Sequence, residues 1–151
     1  MVTARPDADR ATELKRVATF GACDGLGIVL GLIAGMIVSH QPAHAVWAAA
    51  LSGGIAELFS MANGQRISDS SSGWLPALAI GAASLAGCAL PAVPYSLSSG
   101  SAALILALVL CAAVAGVISW ARPGKGVLAI VETFGLLLVT GLACGLVGLW
   151  L

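Results

Sequence analysis

The sequence predicts an all-α, polytopic membrane protein of five transmembrane helices, with a cytoplasmic N-terminus and an external C-terminus. Three observations carry that prediction. Of 151 residues, 59% are apolar and only 9% charged, where a soluble domain keeps roughly a quarter of its residues charged. Five segments reach the length of about 20 apolar residues that crosses a hydrocarbon core. All seven Lys and Arg residues fall on one side of the resulting topology.

The spans are expected at about 17–38, 45–65, 74–95, 101–121 and 127–151. Short connections join them: "SHQPAH", "RISDSSSG", "SLSSG" and "RPGKG". Arg5, Arg10, Lys15 and Arg16 precede the first span, Arg66 follows the second, and Arg122 and Lys125 follow the fourth. Basic residues mark cytoplasmic loops, so these ends are predicted to lie inside. Trp47, Tyr95 and Trp150 fall near outer span ends, and Trp74 and Trp120 near inner ends. That is the distribution of an interfacial aromatic belt. Residues 1–16, with "RPDADRATELKR", form a polar cytoplasmic helix, capped by Asp7 or Asp9, with Lys15 and Arg16 facing lipid headgroups. Residues 17–151 then make a single transmembrane domain. Pro91 and Pro94 in "CALPAVPY" are expected to kink or end the third helix.

Several function classes drop out. The basic residues form no stripe with interleaved aromatics, so no nucleic-acid partner is expected. Cys23, Cys88, Cys111 and Cys144 stand in separate spans without CxxC spacing, which disfavours a zinc or dithiol site. They are read as small packing residues, with a metal contact for Cys23 beside Asp24 as the minor alternative. No serine–histidine, cysteine–histidine or zinc-hydrolase pattern is present, so an enzyme is not expected. His40 and His44 flank Pro42, which breaks the helix their spacing would need, and they are read as interfacial.

The chemistry sits in three intramembrane carboxylates, Asp24, Glu57 and Glu132. A charge at a span centre costs about 2.5–3.5 kcal/mol on insertion scales, so such groups face the bundle interior and serve function. At a rise of about 1.5 Å per residue, they lie roughly 10, 13 and 7 Å from the inner ends of their helices. No basic residue shares that depth. The carboxylates are therefore protonated or gathered around a cation. On the first helix, Gly27, Gly31 and Gly35 fall within about 60° of Asp24, a small-residue stripe expected to pack closely on another helix. On the second, Gly53, Glu57, Met61 and Gly64 share a face. A carboxylate and a thioether one turn apart suit Mn2+ or Fe2+ better than Mg2+ or Ca2+, although Met61 taken alone is more often a core filler than a ligand. Glu132 shares a face with Gly135 and either serves the cation or snorkels to the interface.

Two of these stretches resemble a known family. "FGACDGLGIVLGLIAG" is similar to the first-span pattern of the vacuolar iron transporter family, F-G-x-x-D-G-L followed by spaced glycines. "LSGGIAELFSMANGQRIS" is similar to its second-span pattern, with Ser60, Met61, Ala62, Gly64 and Ser68 matching S-M-A-x-G-E-x-x-S. The resemblance implies a homodimer that moves Fe2+ or Mn2+ out of the cytoplasm in exchange for protons, with no permanently bound cofactor. It assigns cation-pathway roles to Asp24 and Met61 and lends support to Glu57. Spans three to five match only in length and hydrophobicity. Gln65 stands where the family often has glutamate, leaving a polar group in the metal or proton pathway without its charge. The long acidic insertion that iron-transporting members can carry after the second span is reduced here to "RISDSSSG". The expectation is therefore a minimal divalent-metal exporter, placed in a bacterial inner membrane, or a vacuolar membrane in a eukaryote. A non-transporting assembly subunit and a cation or proton channel are the alternatives.

Overall fold

The computed structural model describes residues 7–71, 73–121 and 126–150. Arg5, Arg122 and Lys125 lie outside the described residues, as do the side chains of Asp7 and Asp9 expected to cap the first helix. The chain forms α1 (Asp7–Val38), α2 (Ala43–Ser68), α3 (Trp74–Ala92), a short α4 (Pro94–Leu97), α5 (Gly100–Ala121) and α6 (Gly126–Gly148), with no strand among the described residues. All except α4 are long and apolar enough to cross a membrane. The protein is thus an all-α integral membrane protein with five spanning helices.

The polar N-terminal segment and the first span are one continuous helix of 32 residues. Nothing in "ATELKRVATFG" interrupts an α-helix, and an Arg16–Glu13 ion pair of 2.9 Å at (i, i+3) ties its polar turns. Its end is made by a Schellman motif. The His40 N–H donates to the Ile37 carbonyl (3.0 Å) and the Gln41 N–H to that of Met36 (2.8 Å). His40 takes the left-handed conformation this requires, φ 58°. The chain then reverses, and Pro42, which lacks an N–H, opens α2.

Between α2 and α3 the Asp69 carboxylate accepts from the Ser71 N–H (3.1 Å) and hydroxyl (2.6 Å), an Asx-type turn. The Arg66 guanidinium lies 4.9 Å from the centre of the Trp74 ring and donates to the Ser70 carbonyl at 3.3 Å. This one cation–π contact ties the last turn of α2 to the first of α3. At the other end of α3, Pro91 sits inside the helix and the helix stops at Ala92. Pro94 starts α4 at its first position, where a missing N–H costs nothing. The two prolines therefore end the third span as predicted.

Glycines set the packing. In lipid the hydrophobic effect does not drive helices together, so association relies on close van der Waals contact between backbones. On α1, Gly21 and Gly25 meet the backbone of Ile80 and Ser84 on α3, and Gly87 of α3 meets Ala22 of α1. Gly81 of α3 meets the backbone of Leu58 on α2. Gly54 of α2 lies under Leu85 and Cys88, and the Cys88 thiol donates to the Ala50 carbonyl at 3.3 Å. Helix α3 is thus wedged against both α1 and α2. Half of its most apolar window is buried, against 17% for α6. The other wall of α1 carries α6: Gly31 meets Cys144 and Thr140, and Gly35 meets Gly148. Helix α5 completes the core with Ala103, Ala107, Cys111 and Ala115, all buried and spaced by four, against a cluster that includes Leu26, Ile33 and Tyr95. Leu, Ile and Val side chains of α5 and α6 that face away from this core, such as Ile105, Val109, Leu138 and Leu146, are exposed, as a lipid-facing surface requires.

Candidate cation site

Asp24 projects from α1 half-buried, and Glu57 from α2 half-buried. Their carboxyl groups meet between the two helices, within hydrogen-bonding reach of each other. Two carboxyl groups at that distance share either a proton or a cation, because two bare negative charges in a low-dielectric setting repel strongly. The similar depth expected for Asp24 and Glu57 is what this contact requires.

The remaining expected members are placed differently. Met61 is half-buried one turn beyond Glu57, on the same side of α2. Gln65 is half-buried a further turn along and accepts the Asp69 N–H at 2.9 Å through its backbone carbonyl. Glu132 is half-buried on α6. Among the described residues, no group of three His, Cys, Asp or Glu converges in the geometry of a metal site. The donor set that the fold does assemble is the carboxylate pair.

Beside Asp24 lies a cleft of about 490 Å³ between α1 and α6. Phe20, Cys23, Asp24 and Gly27 line it from α1, Thr133 and Thr140 from α6. Both threonine hydroxyls donate within their own helix, to the carbonyls of Ala129 (2.8 Å) and Leu136 (2.9 Å). Glu132 is not among the lining residues. The cleft tapers. A Cβ on Gly27 would meet nothing within 4 Å, on Gly31 it would meet the Cys144 sulfur at 2.7 Å, and at the far end Gly35 packs directly on Gly148. The uniform glycine stripe expected on α1 is thus split. Gly31 and Gly35 contact α6, whereas Gly27 opens on space because α6 diverges from α1 at that level. The close contacts to α3 come instead from Gly21 and Gly25, which sequence spacing did not single out.

None of the four cysteines forms a disulfide, and Cys88 and Cys111 are buried. His40 and His44 are exposed at the α1–α2 turn, far along their helices from the carboxylate pair, and His40 serves the backbone reversal described above.

Ser84 was not visible as a site residue in the sequence. It is fully buried on α3, and its hydroxyl has no hydrogen-bond partner. A buried hydroxyl left unpaired costs about 1–3 kcal/mol, so it calls for an explanation. The one available signal was the run of small residues at helical spacing in the third span, Ala77, Gly81, Ser84 and Cys88. Comparisons with protein-family models, with curated proteins and with solved structures give no match.

Proposed function

We propose that the protein is a transporter of divalent transition-metal ions, Fe2+ or Mn2+, which it moves out of the cytoplasm in exchange for protons. The observation that carries the reading is the meeting of the Asp24 and Glu57 carboxyls inside membrane-spanning helices. No Lys or Arg falls inside the five apolar spans expected from the sequence, so no basic residue is expected to balance the pair. A divalent cation neutralises both charges at once; protons neutralise them one by one. Ligand carboxylates must lose their protons to bind metal, so uptake of the ion at the pair releases protons and protonation expels the ion. The resemblance of the first two spans to vacuolar iron transporters supports the same cargo. It also supports Met61 as a soft donor one turn from Glu57, with Gln65 further along the path; Glu132 is added to the path on its intramembrane position alone.

The transporter is proposed to work as a homodimer. The outward face of α2 supports this, because it carries exposed Ser52, Ser60 and Asn63. Small polar faces in a bilayer seek another protein surface rather than lipid. A bacterial inner membrane is the proposed location.

The test is uptake by proteoliposomes loaded with a metal-sensitive dye under an imposed pH gradient. Saturable Mn2+ or Fe2+ flux that depends on the gradient supports the proposal. Full flux in both Asp24→Asn and Glu57→Gln overturns it. The open cleft beside Asp24 favours one second reading, a cation or proton channel built on the same pair. Flux that neither saturates nor couples to pH selects that reading.

A further inference from the structure

The unpartnered hydroxyl of Ser84 belongs to the same junction as the carboxylate pair. Its direction follows from the neighbours of α3. Gly81 packs on Leu58 of α2, and Gly87 packs on Ala22 of α1. On a helix these glycines lie about 60° to either side of Ser84. The Ser84 side chain therefore bisects the directions of the two flanking helices and points into the groove between them. Its level follows independently. The Ser84 backbone lies against Gly25, the residue after Asp24. On the α2 side, Cys88 is level with Ala50 and Gly54, and Gly81 is level with Leu58. Ser84, between Cys88 and Gly81, is thus level with the turn that carries Glu57.

The Ser84 hydroxyl is one of three buried hydroxyls without a partner among the described residues, with those of Tyr95 and Ser119. Thr19, Ser52, Thr133 and Thr140 each donate to the carbonyl four residues back. Ser84 does not, and it is 0% exposed, so neither its own helix nor solvent satisfies it.

We propose that Ser84 supplies the third oxygen ligand of the cation site, forming its floor beneath Asp24 and Glu57. This rests on the reading of the carboxylate pair as the cation site. A divalent ion there is held by α1, α2 and α3 together, with two charged oxygens from the sides and a neutral hydroxyl from below. The neutral donor needs no proton removed and leaves a pair of carboxylates to balance the charge of the ion. It also couples the ion to the helix against which α1 and α2 both pack.

The test measures Mn2+ and Cd2+ binding to the purified full-length protein in detergent by titration calorimetry and metal-dependent thermal shift. Ser84→Ala is expected to weaken Mn2+ binding about three- to tenfold, the loss of one neutral polar contact. Ser84→Cys places a softer donor of similar size at the same point. It is expected to raise the Cd2+ to Mn2+ affinity ratio about tenfold or more over wild type, with an ultraviolet thiolate-to-cadmium charge-transfer band absent from wild type. A residue that only packs would move neither ratio nor band. Mn2+ binding weakened about tenfold or more by Asp24→Asn but unchanged in Ser84→Ala, with an unchanged Cd2+ to Mn2+ ratio in Ser84→Cys, overturns the role of Ser84 and leaves the carboxylate site standing. Absence of saturable Mn2+ binding in wild type overturns both.

Discussion

The Asp24 and Glu57 carboxyl groups meet across the groove between α1 and α2, although these two helices mainly contact α3 rather than each other. The pair is therefore held in place by a third helix. Its geometry depends on how closely α1 and α2 seat on α3, and that depends on glycines.

Replacing either carboxylate removes one of two charged ligands. A hydrogen bond or ligand contact to a charged group contributes about 1.5–3 kcal/mol, and about 1.4 kcal/mol is tenfold in affinity. Asp24→Asn and Glu57→Gln are each expected to weaken Mn2+ binding and transport by about tenfold or more. The double variant should lose less than the product of the two, because the groups act on one ion. Wild-type binding should strengthen as pH rises, since the ligands must be deprotonated. Titration calorimetry at several pH values checks both points.

Two glycines of α1, close in sequence, should respond oppositely to alanine. Gly25→Ala drives a Cβ into the Ser84 carbonyl, and overpacking of this kind costs about 1–3 kcal/mol. Gly27→Ala meets open space and gains helix propensity of up to about 1 kcal/mol. Thermal unfolding in detergent should show Gly25→Ala less stable than wild type and Gly27→Ala equal or more stable. Equal losses in both would contradict the divergence of α6 from α1.

The Arg66–Trp74 contact is exposed, with Trp74 at 66% accessibility. A cation–π pair in such a setting contributes about 0.5–1 kcal/mol. Trp74→Leu keeps an apolar side chain at the interface but removes the ring, and it is expected to lower stability by that amount. Arg66→Lys should recover only part of the loss seen in Arg66→Ala, because a point charge stacks less well than a planar guanidinium.

His40 occupies a left-handed position, φ 58°, that costs a non-glycine residue roughly 1 kcal/mol. His40→Gly should raise the midpoint of thermal unfolding, and the β-branched His40→Val should lower it. Metal binding should be the same in both, because His40 lies at the α1–α2 turn rather than at the carboxylate pair.

Much of the architecture was readable from residue order. The five spans, their boundaries to within a few residues except at the start of the first, which continues the polar N-terminal helix without a break, and the stop at Pro91 and Pro94 follow from local chemistry. Apolar runs must satisfy their backbone within a helix, and prolines end one. The shared depth of Asp24 and Glu57 was also legible, because rise per residue is constant. Less legible was which helices sit side by side. Spacing placed Gly27, Gly31 and Gly35 on one face of α1 but could not say that α6 touches only the outer part of it. It did not mark Gly21 and Gly25, whose partners lie on α3.

The sequence by itself determined that the chain crosses a membrane five times and that two costly carboxylates sit at one level, since both results depend only on hydrophobicity and helix rise. The tertiary structure alone decided that these carboxylates meet, that α3 lies beneath them, and that a buried Ser84 hydroxyl faces the same groove. The physical reason is that in lipid no hydrophobic force selects helix neighbours. Partner choice rests on backbone-to-backbone fit at particular glycines, and that fit exists only once all the helices are packed.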